Sequence, residues 1–257
     1  GRGRPQGAAG FSRHPAGGGP VMGRGYFVTG TDTGVGKTVV TAALAGVLRK
    51  NGIGAVAIKP VQSGGVRKDG ELCSEDALFY RAAAGLPHPV QILNPCCLEP
   101  PVAPGVAAGI AGVDIDPAEL AATCRRLAAA HEVALVEGAG GLAVPLTPGY
   151  FTVAQMAVLL GFPLLVVARP GLGTINHTLL TVAYARGMGL VVKGIIISGY
   201  DEETATAAER TNPRVIEAMS GVPLLGILPR LDGVSVESCL AGGLVDAAEK
   251  HLRWREL

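Results

Sequence analysis

Gly30-Thr31-Asp32-Thr33-Gly34-Val35-Gly36-Lys37-Thr38 decides the fold of this 257-residue chain. The stretch follows a short apolar run at 26–29 and opens an amphipathic segment at Lys37, so it reads as a glycine-rich turn between a strand and a helix. Backbone N–H groups of such a turn point at phosphate oxygens, and the helix N-terminus adds positive potential. In that pattern Lys37 reaches the β- and γ-phosphates, and Thr38 is placed to bind Mg²⁺. The common G-x-x-x-x-G-K-[ST] spacing puts glycine at position 31; Thr31 stands there, with Gly30 one place earlier.

Outward from this loop, short aliphatic runs alternate with helical stretches, the rhythm of βαβ units. Strands are expected at 26–29, 55–59, 133–136, 164–168, 192–197 and 224–227. Several lack polar alternation, as parallel strands covered on both faces do. Helices are expected over 37–51, 75–84, 117–130, 152–160, 175–186, 214–219 and 244–255, with Gly52 and Gly187 closing the first and fifth. The proline-rich stretch 87–117 reads as a long irregular connection. The fold class that follows is α/β: one P-loop domain over 26–257, with a mostly parallel twisted sheet and helices on both faces.

Composition narrows the function. With 48% hydrophobic and 17% charged residues the chain can bury a full core, and 22 basic against 21 acidic residues leave a formal net charge of +1. That balance provides no field to recruit nucleic acid or anionic lipid, so neither is an expected partner. The most apolar stretch, 156–168, is broken by Gly161 and Pro163 and is shorter than the roughly 20 residues of a membrane span. Five cysteines, with no CxxC and no Cys/His cluster, argue against a disulfide framework or zinc and suit a reducing cytoplasm. Residues 1–25 lack the apolar core of a secretory signal and are expected to be a disordered leader, with Met22 a possible start.

Three further segments carry chemistry. Lys59 ends the second expected strand and places an ammonium beside the first loop if strands one and two lie near each other. Two lysines at one triphosphate suit neutralisation of transition-state charge, whereas a lone strand-end lysine simply snorkels to water. Glu137 ends the run 133–136 before Gly138-Ala139-Gly140-Gly141; a carboxylate there holds Mg²⁺ or its water opposite Thr38, or is an exposed strand end. Asp76 serves equally as a site carboxylate or as a first-turn residue behind a Ser74 cap. Gly173-Thr174-Ile175-Asn176-His177 reads as a turn in which Thr174 caps the next helix, whose N-terminal amides suit a carboxylate.

Six ordered stretches resemble the dethiobiotin synthetases, ATP-dependent carboxylases that close the ureido ring in biotin biosynthesis. They are GTDTGVGKT at 30–38, KPVQSG at 59–64, SEDAL at 74–78, EP with a following AP at 99–104, EGAGGLAVPL at 137–146 and GLGTINHTLLT at 171–181. The similarity spans about 26–231. It implies a ligase that takes 7,8-diaminopelargonate, CO₂ or bicarbonate, and a nucleoside triphosphate, ordinarily ATP, with Mg²⁺. It also implies that Lys37 and Lys59 are catalytic and that Thr33 bonds the reacting carbamate. Thr38, Asp76 and Glu137 would hold the metal.

The same resemblance assigns nucleotide contacts to Gly34, Val35, Gly36, Lys37, Thr38, Val39, Asp76, Glu137, Gly138, Ala139 and Gly140, with Ser198, Gly199, Pro229, Arg230 and Leu231 around the base. Substrate contacts fall to Ser63 and to Gly173, Thr174, Ile175 and Asn176, the last four reaching the neighbouring subunit of a homodimer. His177 receives no catalytic role. Many relatives carry Asn-Asp where this chain has Ser198-Gly199, which predicts weak discrimination among bases. A partition-type ATPase switch is the other reading of the loop, but that group's second lysine is absent: position 32 is Asp32.

Overall fold

The computed structural model describes residues 24–257. The expected leader falls largely outside the described residues, except that Arg24 and Gly25 already belong to the first strand.

Six parallel strands form the central sheet: β1 (Arg24–Gly30), β2 (Ala55–Ile58), β3 (Val133–Glu137), β4 (Leu164–Ala168), β5 (Val192–Tyr200) and β6 (Leu224–Pro229). Their order is β6-β5-β4-β1-β3-β2. β3 and β4 are buried along their whole length, which explains the unbroken aliphatic runs. Alternate residues of β4 serve opposite faces. Val166 and Ala168 pack with Val182 and Ile216, whereas Leu165 and Val167 join the larger cluster that contains Val40 and Leu44.

The helices are α1 (Lys37–Lys50), α2 (Glu75–Ala84), α3 (Val90–Leu93), α4 (Pro104–Ala111), α5 (Pro117–Ala129), α6 (Val153–Leu160), α7 (Thr174–Gly187), α8 (Ala207–Ser220) and α9 (Leu244–His251). Because β3 lies between β1 and β2, the chain crosses over one strand position and then returns to the other side of β1 for β4. This reversal puts a crevice at the carboxyl ends of β1, β3 and β4, where open α/β sheets bind ligands.

Several sequence expectations are corrected. α8 starts at Ala207 rather than 214, because Thr206 and Glu209 form a reciprocal capping box; Pro213, which suits a first helical position, lies inside the helix. α9 stops at His251, where Leu252 turns extended and bridges to Gly226. α7 continues through Gly187, and the left-handed residue that closes the turn is Gly189 (φ 76°). The stretch 87–117 is not irregular. It holds α3, α4 and a strand, Cys96–Leu98, that pairs in parallel with Val61–Ser63. A hairpin of Val66–Lys68 and Glu71–Cys73 turns on Asp69 and Gly70, both at positive φ, the conformation an Asp-Gly pair favours.

Candidate functional site

The loop after β1 folds back on itself. A side chain at Gly30 would press on Val35 Cγ2 at 2.7 Å and on the Asp32 carbonyl at 2.9 Å, so the glycine one place early is what this tighter loop needs. Gly36 caps α1 at φ 95° with no side-chain capping bond, which leaves the first amides of the helix to a ligand. Ser198 at the end of β5 packs directly against Gly36. Lys37 is buried and its Nζ donates to the Asp32 carbonyl at 3.1 Å. Its pKa is lowered from 10.5 by burial and then by the Lys59 charge, against the pull of Glu137, Asp76 and Asp32.

Lys59 follows β2, and its neighbours were not foreseeable from spacing. Because β3 intervenes between β1 and β2, Glu137 at its end stands between the loop and Lys59. Lys59 Nζ lies 2.7 Å from Glu137 Oε1 and 2.7 Å from Asp76 Oδ2. Thr38 Oγ1 donates to the same Glu137 Oε1 at 3.1 Å. Burial works against the Lys59 ammonium, but the charges of Asp76 and Glu137 outweigh it and raise its pKa.

Two residues of this cluster escaped the sequence reading. Tyr80, one helical turn beyond Asp76 on α2, donates its hydroxyl to Glu137 Oε2. Burial, then the Glu137 and Asp76 charges, raises the phenol well above 10.0. The i,i+4 spacing of Asp76 and Tyr80 was the available signal. Asn94, just after α3, donates to the Lys59 carbonyl at 2.7 Å, while Lys59 N–H donates to the Leu93 carbonyl at 2.7 Å. The proline-rich stretch thus pins the backbone of Lys59. Ser74 caps α2 as expected, its Oγ accepting from Ala77 N–H at 3.1 Å.

Two cavities meet across the loop, sharing Gly34, Gly36 and Val39. One, of about 460 Å³, is lined by Thr33, Lys37, Thr38, Lys59, Ser63, Asp76, Glu137, Ala139 and Gly140 among others. The other, of about 540 Å³, takes in Val35, Ser198, Gly199, Pro229, Arg230 and Leu231, and adds Arg169, Pro170, Asp232, Gly233 and Val234, which the sequence did not point to. Gly138, packed against Phe27 and Val153, lines neither cavity. Gly173, Thr174, Ile175 and Asn176 line neither. Thr174 is not the cap of α7: Gly173 holds that position, and the Thr174 hydroxyl is buried within the helix's first turn without a partner.

A lysine-carboxylate cluster thus lies beside a strand-loop-helix turn and next to a second pocket, and known proteins resemble this chain in sequence. The ATP-dependent dethiobiotin synthetase BioD of Anoxybacillus flavithermus is 42% identical over 82% of this chain and 94% of its own length. Its namesake from Bacillus subtilis strain 168 is 42% identical over 84% and 92%. The chain belongs to the dethiobiotin synthetase family. Like the other dethiobiotin synthetases it is an enzyme, a ligase. Residues 24–238 also match the AAA domain family.

Among solved structures, the septum site-determining protein MinD complexed with Mg-ADP from Pyrococcus horikoshii OT3 superposes with a TM-score of 0.57 at 20% identity, covering 89% of this chain and 96% of that one. A ParA family ATPase from Chlorobium tepidum TLS gives 0.53 at 14% identity, covering 88% and 92%. At these identities the likeness concerns the fold alone. Among the described residues no helix is long and apolar enough to cross a membrane.

Proposed function

We propose that this synthetase joins CO₂ to 7,8-diaminopelargonate and closes the cyclic urea of dethiobiotin at the expense of ATP, in the cytoplasm. The observation that carries the reading is the convergence of Lys37, Lys59, Asp76, Glu137 and Thr38 on one cavity that opens across the loop into a second. One amine of the substrate captures CO₂ as a carbamate and releases a proton. A carbamate oxygen attacks the γ-phosphorus, the bond to the β-phosphate bridge breaks, and ADP leaves. The second amine then attacks the carbonyl carbon of the carbamic-phosphoric anhydride and gives up a proton, and phosphate departs with the bonding electrons of the broken C–O bond.

The chemistry asks for positioning and charge neutralisation, because carbamate and triphosphate are both anions. The amides of Gly34 to Thr38 and the Lys37 ammonium cradle the phosphates; Thr33, at the rim, offers a hydroxyl to the carbamate; Ser63 contacts the diamine. The donor set suits Mg²⁺, a hard cation usually held by one or two carboxylates, a hydroxyl and substrate phosphates: Asp76 and Glu137 already direct one oxygen each at a single cation. Mg²⁺ would supply charge neutralisation and Lewis acidity at the phosphates.

The substrate's carboxylate end falls to Gly173–Asn176 of a second copy in a homodimer. Within one chain these residues stand outside both cavities, and the outer face of α7 together with the loop before it presents Leu172 (82% exposed), Leu180 (61%) and Tyr184. An apolar face of this kind suits a partner subunit.

The test is phosphate release with diaminopelargonate and bicarbonate, comparing wild type with Lys59→Ala. Turnover is expected to fall by about 10²–10³, far more than triphosphate affinity, because neutralisation matters most as the phosphoryl group moves. Equal losses in both would reduce Lys59 to an anchor. Phosphate release without the diamine, stimulated by DNA or membranes, would instead favour a partition-type switch.

A further inference from the structure

We infer that the Lys59 ammonium is the resident occupant of the metal position, so that loading the metal and freeing the catalytic lysine are one exchange. This rests on the reading that Thr38, Asp76 and Glu137 hold Mg²⁺. Lys59 Nζ sits 2.7 Å from an oxygen of each carboxylate, with only 6% of the side chain exposed, while Glu137 is wholly buried. Three donors already face Glu137: Oε1 accepts from Lys59 and Thr38, and Oε2 accepts from Tyr80. A fully buried and a largely buried carboxylate facing one point without a cation between them would repel strongly. The ammonium relieves that repulsion with an atom of the chain itself.

The same oxygens, Asp76 Oδ2 and Glu137 Oε1, and the same Thr38 hydroxyl are the hard-oxygen donors of this cavity that already converge on one point. An ammonium and a divalent cation drawn to the same carboxylate oxygens in a buried site repel each other far more strongly than in water. The two therefore compete for the position. The backbone at Lys59 is held by Leu93 and Asn94, so the exchange moves only the four-carbon stem. Once released, the ammonium faces the cavity that Lys37, Thr33 and Ser63 also line. Before the metal arrives, Lys59 is spent on carboxylates and is not available to neutralise two substrate anions. By reciprocity, whatever the ammonium takes from metal affinity the metal takes from the ammonium's hold.

Mn²⁺ binding without nucleotide, read by electron paramagnetic resonance, separates the cases. Lys59→Met is expected to bind Mn²⁺ at least about tenfold more tightly than wild type, since the competing charge is gone. Equal binding, or weaker binding by the variant, overturns the exchange and leaves the metal site standing. No binding by either protein, with or without nucleotide, removes the metal site and the exchange with it. Should Lys59→Met fail to fold by circular dichroism, wild type decides. Mg²⁺ should accelerate reductive methylation of Lys59, measured by mass spectrometry against exposed Lys68, and an unchanged rate overturns the proposal.

Discussion

The two cavities that meet at Gly34 and Gly36 are built in opposite ways. On the proposed phosphate side the central charges answer one another: Lys59 is met by Asp76 and Glu137, Glu137 also by Thr38 and Tyr80, and the Lys59 backbone by Asn94. On the base side the walls are glycine, proline and aliphatic side chains with Arg169, Arg230 and Asp232 at the exposed rim, and the buried hydroxyl of Ser198 leans on Gly36. The contrast teaches where selectivity resides. A preorganised cluster of paired charges stabilises one distribution of charge, whereas a pocket with few directed polar groups accepts several shapes.

The sharpest way to break this comparison is Lys37→Ala. It removes the ammonium of the cradle, and turnover should fall by about 10³ with a parallel loss of triphosphate affinity, measured by steady-state phosphate release and calorimetry. If Lys37→Ala kept its affinity, the phosphate side would not be the binding end. A smaller effect is expected for Tyr80→Phe. Losing the hydroxyl leaves Glu137 Oε2 without its donor at a cost of about 1–3 kcal/mol, so kcat should drop roughly tenfold or more while KM for the triphosphate stays near wild type. A rise in KM alone would make Tyr80 a packing residue.

The pH dependence sharpens the same contrast. Burial and the Lys59 charge hold the Lys37 pKa below 10.5, and only the ammonium form attracts phosphate. Triphosphate affinity should therefore begin to decline as pH rises at values below 10.5. Ser198→Ala, on the other side of the loop, should show the wild-type profile; a shifted profile would mean that the two sides are coupled. Smallest of all is the change expected on exchanging the base. With Ser198-Gly199 in place of a residue pair able to make a bidentate contact, ATP should be preferred over other triphosphates by less than about a hundredfold in kcat/KM. A stricter preference would mean that Arg169, Arg230 or the backbone reads the base after all.

How much was legible in the residues depended on range. The strands, most helices and the loop at 30–38 follow from periodicity and glycine placement, because those preferences act over a few residues. Where two local signals competed, the reading went astray. At α8 the expected start at 214 was overridden by the reciprocal bonds of Thr206 and Glu209, which begin the helix seven residues earlier. Thr174 has a capping side chain, yet Gly173 takes the cap and Thr174 is buried. The proline-rich stretch looked structureless because its strand, Cys96–Leu98, is defined only by pairing with Val61–Ser63.

The amino-acid order alone determined that a phosphate loop exists and that the surrounding sheet is parallel, because each is written in spacing or in an unbroken apolar run; it left Lys59, Asp76 and Glu137 with two readings each, and only the family resemblance drew them to the loop. Only the tertiary structure decided that β3 would lie between β1 and β2, and with it that Glu137 would separate the two lysines and draw Lys59 onto the carboxylates. Strand order is a choice among crossovers made by packing the whole core, and no short window of residues contains it.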